Sequence, residues 1–75
     1  MTEKQRVKLK FLKPKKRLRG ERLKRERTTT YMAGVIGVKN RKAYEQKENG
    51  EMPFKDYEMA AISQEFNLPE SELFF

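Results

Sequence analysis

The stretch GVKNRKAYEQKENG occupies Gly37 to Gly50. It runs from a glycine break to an Asn-Gly pair and carries only Ala43 and Tyr44 as small or aromatic anchors. Asn40 suits the N-cap position, where a side-chain carbonyl accepts from a first-turn N–H. Asn49 and Gly50 suit a left-handed stop. The pattern predicts a helix from Arg41 to about Glu48, with Ala43, Tyr44 and Lys47 turned inward. Arg41, Lys42, Glu45 and Gln46 are then left outward. These side-chain types read base edges: Arg binds guanine O6 and N7, Gln binds adenine N6 and N7, and Glu accepts from cytosine N4. A polar helix face is by itself usually just solvated, so the reading depends on what surrounds it.

Upstream, TTTYMAGVIGV reads as another helix, with Thr28 as N-cap and Met32, Ala33 and Ile36 on one buried face. Ala33 and Gly34 would let a second backbone approach, and Gly37 would end the helix at positive φ. Thr29 and Thr30 place hydroxyls beside the free N–H groups of a first turn, which suits a phosphate. Before it, RLRGERLKRER is a weaker helix. Leu18 and Leu23 lie five apart with Arg22 beside the second, and Gly20 costs about 1 kcal/mol in a helix interior. Earlier still, Val7, Leu9 and Phe11 alternate with lysines, the period of an extended strand, until Pro14 ends the run.

Downstream, a fourth helix is predicted from Lys55 or Asp56 to Phe66, with Phe54, Met59, Ile62 and Phe66 on its buried side and Asn67 at its end. Pro69 begins a short fifth helix, PESELFF. Leu68, Leu73, Phe74 and Phe75 are too apolar for a free tail. They either close the core or meet a second subunit.

Charge divides the chain unevenly. Through Arg27 there are thirteen basic against three acidic residues, a net +10; from Thr28 onward five basic face eight acidic, a net −3. A basic end on a small domain fits phosphate binding by counterion release. At 75 residues the chain is one domain with little room for a large cavity. It contains neither cysteine nor histidine, so no disulfide framework, soft metal site or histidine proton shuttle is expected. No apolar run is long enough to span a membrane, and the expected location is the cytoplasm.

The order of these pieces resembles the lambda-repressor-like helix-turn-helix regulators of phages and mobile elements, the repressor and Cro class. The resemblance covers about Leu18 to Phe75. It rests on LRGERLKR, TTTYMAGVIGV, NRKAYEQKENGE, and PF followed by Ile62, Phe66, Leu68 and a closing Leu73-Phe74-Phe75. It implies an all-α, five-helix domain over residues 15–75 with a basic, extended or disordered arm over 1–14. It implies that Thr28 caps helix two, that Thr29 stands where the family usually has a phosphate-contacting Gln, and that Asn40, Arg41, Lys42, Glu45 and Gln46 face the major groove. Arg19, Thr29, Thr30, Lys39 and Lys47 are the expected phosphate contacts, and Leu73, Phe74 and Phe75 the candidate dimer contact. Two departures stand out. The turn from Gly37 to Asn40 is one residue longer than in the commonest members, and Glu26 and Arg27 replace a Gly and an apolar residue between helices one and two.

The expected partner is double-stranded DNA, bound as a homodimer across two half-sites, with no cofactor, metal or small-molecule substrate. No paired-acid or Gly-rich phosphate motif supports an enzyme. A protein-binding module, such as an anti-repressor that keeps the same fold, is the rival reading. An RNA-binding protein is a third, disfavoured by the lack of interleaved aromatics for base stacking. The arm could follow phosphates or enter a minor groove, pair as a strand with a second subunit, or remain an unstructured tail.

Overall fold

Among the residues that the computed structural model describes, 2–6 and 12–75, five helices follow one another. They are α1 (Lys16–Lys24), α2 (Thr29–Ile36), α3 (Arg41–Glu48), α4 (Asp56–Phe66) and α5 (Glu70–Leu73). Residues 3–6 add one helical turn, and no strand occurs among the described residues. That turn departs from the extended or disordered arm expected there. Thr2 and Gln5 cap it reciprocally: the Gln5 amide donates to the Thr2 hydroxyl, and the Thr2 amide to the Gln5 side chain. The strand reading of Val7, Leu9 and Phe11 lies outside the described residues.

Helix boundaries follow the capping chemistry in the sequence. The Thr28 hydroxyl accepts from the Tyr31 amide at 3.1 Å and starts α2. Gly37, at φ 79°, ends α2 in the left-handed conformation, with Val38 N–H bonded to the Ala33 carbonyl. Asn40 accepts from the Ala43 amide at 2.9 Å and starts α3. Asn67, at φ 54°, closes α4. At the α1–α2 junction Glu26 stands at φ 55°, a conformation that glycine adopts without strain.

The core gathers Leu18 of α1, Met32, Ala33 and Ile36 of α2, Tyr44 of α3, Phe54, Ile62 and Phe66 around α4, and Leu73 and Phe74 at the end. Phe54 joins two edge-to-face aromatic pairs, 6.1 Å from Tyr44 and 5.1 Å from Phe74 between ring centres. Leu73 and Phe74 thus close the core, the first of the two alternatives expected for them, and their burial leaves them no surface for a dimer contact; Phe75 remains 63% exposed. In α1 the inward residues are Leu18 and Arg22, four apart and so on one helical face, while Leu23 is 56% exposed. Gly34 is exposed and no atom lies within 4 Å of where its Cβ would stand, so the close backbone approach expected at Gly34 does not occur.

Arg25 ties α1 to α4. Its guanidinium lies 4.7 Å from the centre of the Phe66 ring and donates to the Phe66 carbonyl at 3.3 Å.

Candidate nucleic-acid interface

An eight-residue helix is marginal alone, and α3 has one large apolar residue to anchor it. The rest of its inner face is charged. Tyr44, Lys47 and Glu48, at the i, i+3 and i+4 spacing of one helical stripe, are all buried. Arg22 of α1 meets Glu48 with a two-pronged bond, Nε to Oε2 and Nη2 to Oε1, both at 2.9 Å. The third guanidinium nitrogen of Arg22 donates to the Arg27 carbonyl at 3.0 Å, and the Tyr44 hydroxyl donates to Glu48 Oε2 at 2.6 Å. On the α4 side, Lys47 Nζ donates to Glu58 Oε1 at 2.9 Å and to the Pro53 carbonyl at 3.0 Å. Glu58 also accepts from the Lys55 amide at 2.8 Å. No buried side-chain polar atom among the described residues lacks a partner.

These bonds shift the groups they join. Hydrogen bonding to Glu48 raises the Arg22 guanidinium above its ordinary value, so it is held as a cation. Burial, reinforced by the bond to Glu48, pushes the Tyr44 hydroxyl well above the ordinary phenol value.

The chain before α1 crosses the far end of α3. The Lys15 amide donates to the Glu48 carbonyl at 2.8 Å. A Cβ on Gly50 would stand 2.7 Å from the Lys13 carbonyl carbon, 2.8 Å from the Pro14 nitrogen and closer still to the Leu12 carbonyl oxygen. Gly50, at φ 86°, therefore both turns the chain and admits this crossing.

Lys39 and Asn40 before α3 and Arg41 and Lys42 in its first turn are exposed, while Glu45 and Gln46 further along are half-buried. Asn40 spends its side-chain oxygen on the cap, which leaves its amide N–H groups to donate. The Thr29 hydroxyl donates to Glu45 Oε2 at 2.7 Å, joining the start of α2 to α3. A hydroxyl has one proton, and this one goes to a carboxylate. The expected phosphate contact through the Thr29 side chain is corrected accordingly. Lys47 is corrected as well: it is 8% exposed and bonded within the fold, so it does not face a phosphate. Arg19 and Thr30 are exposed, on α1 and in the first turn of α2.

No family model, curated protein or solved structure matches the chain. Any functional reading therefore rests on this chain's own residues. Reading the sequence missed Arg22, Glu48 and Glu58 as the clamps of α3. A signal for Glu48 was available, since it falls one helical turn after Tyr44, on the arc already assigned inward with Lys47. Arg22 gave a weaker one, four residues after Leu18 on α1.

Among the described residues no helix is long and apolar enough to cross a membrane. The same residues hold no group of acidic side chains suited to a metal ion.

Proposed function

We propose that this chain is a sequence-specific DNA-binding transcriptional regulator of the lambda-repressor-like helix-turn-helix kind, in which α2 and α3 form the motif and α3 enters the major groove. One observation carries the reading. The inner face of α3 is clamped to α1 and α4 through Glu48 and Lys47, while Arg41 and Lys42 stand exposed in its first turn and Gln46, one turn after Lys42, is half-buried. Arg41 and Gln46 are the base-reading pair, to guanine and adenine respectively, with Asn40 and Lys42 as further donors. Arg19, Thr30 and Lys39 serve the phosphates, together with the first-turn amides of α2 and the basic residues of the arm.

One such helix reads only a few base pairs. A homodimer on a two-fold symmetric operator, with half-sites about one helical turn apart, supplies the missing affinity. Such a regulator works in the cytoplasm, on the nucleoid, and the phage or mobile-element type is part of the same proposal.

Selection of bound duplexes from a random pool, at a fixed salt concentration, tests this. Enrichment of a defined two-fold symmetric sequence is expected. Arg41→Ala and Gln46→Ala should each relax one position per half-site, by about 1–3 kcal/mol if the contact is bidentate. Equal losses on selected and scrambled duplexes would reject base reading by these side chains. Removing residues 1–11 should weaken binding to every duplex and flatten its salt dependence, since phosphate neutralisation sets that slope.

A protein-binding role has one observation in its favour. Met52, Tyr57 and Phe75 are at least half exposed, and Phe75 lines a shallow cavity with Pro53, Phe54 and Met59. A pool that yields no sequence would move the reading there.

A further inference from the structure

Glu45 stands apart from its neighbours on the outer face of α3, because Lys39, Arg41 and Lys42 are cations and it is an anion. An anion beside a polyanion is costly unless it meets a donor. Its position is also not free: Thr29 Oγ1, from the first turn of α2, donates to Glu45 Oε2 at 2.7 Å. That bond fixes the carboxylate at the seam between the two helices. Among the described residues Oε1 accepts no hydrogen bond, which leaves it as an acceptor, while the half-buried carboxylate also feels the Arg22 cation.

We propose that Glu45 is a specificity-determining residue that selects a C·G pair with the cytosine toward it, and that Thr29 is the positioning residue that holds it. The proposal rests on the DNA-reading function above and deepens it. An ionised carboxylate only accepts hydrogen bonds. In the major groove, guanine presents O6 and N7 and thymine presents O4, all acceptors, and each repels it. Adenine offers its N6 amino group beside the N7 acceptor, so the second lone pair of the carboxylate meets repulsion. Cytosine offers the N4 amino group with no acceptor beside it on the groove edge, and is the base that an acceptor-only side chain prefers. Arg41, one helical turn before Glu45, places a cation on the same side of α3 and offsets the phosphate field. Thr29 acts through Glu45. Holding the carboxylate in one rotamer before binding removes the ordering cost that a free glutamate would meet on the duplex.

The test is the same selection from a random pool, run with the wild-type chain and with Glu45→Gln, Thr29→Val and Thr29→Ser, each first shown to melt cooperatively. The wild type should return an invariant cytosine at one position of each half-site. Glu45→Gln should lose that preference by about tenfold or more and admit adenine, which the amide reads with both its donor and its acceptor. Thr29→Val should weaken the cytosine preference and leave the other positions alone. Thr29→Ser, which keeps the hydroxyl, should restore it. A structural role for Thr29 would instead lower binding equally at every position.

If the wild type selects a sequence and Glu45→Gln returns that same sequence at every position, this inference is overturned while the DNA-reading function survives. If Thr29→Val leaves the cytosine preference intact, the positioning role is overturned. If the wild type selects no sequence, both fall together.

Discussion

Replacing Glu48 by alanine removes the acceptor of three hydrogen bonds from two groups. Arg22 loses both prongs of its bond, at 2.9 Å each, and the Tyr44 hydroxyl loses its 2.6 Å bond. Arg22 is 8% exposed and Tyr44 is fully buried, so water reaches neither readily. Leaving one member of a buried ion pair alone costs about 3–5 kcal/mol, because the remaining charge stays desolvated. The orphaned hydroxyl adds about 1 kcal/mol or more, partly within the same figure since the groups share one network. A chain of 75 residues has roughly 4–11 kcal/mol of stability in total. Glu48→Ala should therefore remove a third or more of it, and α3 should be the helix that loosens.

Urea unfolding followed by far-ultraviolet circular dichroism measures the loss. With a slope of about 1 kcal/mol/M for so small a domain, the midpoint should fall by about 3 M, or the variant should be unfolded in buffer. The second arm is the triple variant Arg22→Met, Tyr44→Phe, Glu48→Leu, which removes donors and acceptor together. Apolar replacement of a whole buried ion pair is often neutral or stabilising, so the triple variant should be far more stable than Glu48→Ala alone. The reasoning is refuted if Glu48→Ala costs less than about 1 kcal/mol, or if the triple variant is no more stable than the single one.

Gly37 and Gly50 both stand at positive φ, but only Gly50 has backbone packed where a Cβ would go. Gly37→Ala should cost about 1–2 kcal/mol from strain alone, and Gly50→Ala clearly more, with equal losses by urea unfolding counting against the crossing of residues 12–14. Gly20 lies inside α1 with no atom within 4 Å of its Cβ position, so Gly20→Ala should stabilise by about 1 kcal/mol in the same assay. The folded chain holds the Tyr44 proton more tightly than the unfolded chain does. That contribution is whole below the unfolded value of about 10 and is lost as pH rises past it. Tyr44→Phe should flatten the alkaline fall in melting temperature, and an unchanged profile would deny the coupling.

The sequence made the helix ends legible, because capping is local. Thr28, Gly37, Asn40 and Asn67 each act within a few residues of themselves, and each sits where its chemistry predicted. Apolar stripes of ordinary strength were legible too, as at Met32, Ala33 and Ile36. What was not legible is the partnership of charges distant in the chain. Arg22 and Glu48 are 26 residues apart and Thr29 and Glu45 are 16 apart. On α1, Leu23 looked like the inward residue on hydropathy, yet Arg22 is inward because Glu48 awaits it. Thr29 and Lys47 were assigned to phosphates on residue type, and their donors turn out to be committed within the fold. Residue type shows what a side chain can bond; only the tertiary arrangement shows which bonds are already made.

The polar character of α3 on both its faces then has a physical reason. A leucine in place of Glu48 would bury as well, but apolar contact tolerates rotation of a short helix about its axis. Glu48 and Lys47 instead meet fixed partners on two different neighbours, Arg22 of α1 and Glu58 of α4. Two directional bonds, one to each side, fix the rotation of α3 and with it the direction in which Arg41, Lys42 and Gln46 project. Since buried ion pairs add little net stability over apolar packing, their contribution here is orientation. The stable triple variant should accordingly keep its fold while its preference for the selected duplex over a scrambled one drops about tenfold, the scale of one well-placed bidentate contact. Binding measured on both duplexes at one salt concentration checks this. A triple variant that is folded and equally discriminating would show that the Lys47–Glu58 pair and the apolar contacts around position 44 orient the helix without Glu48.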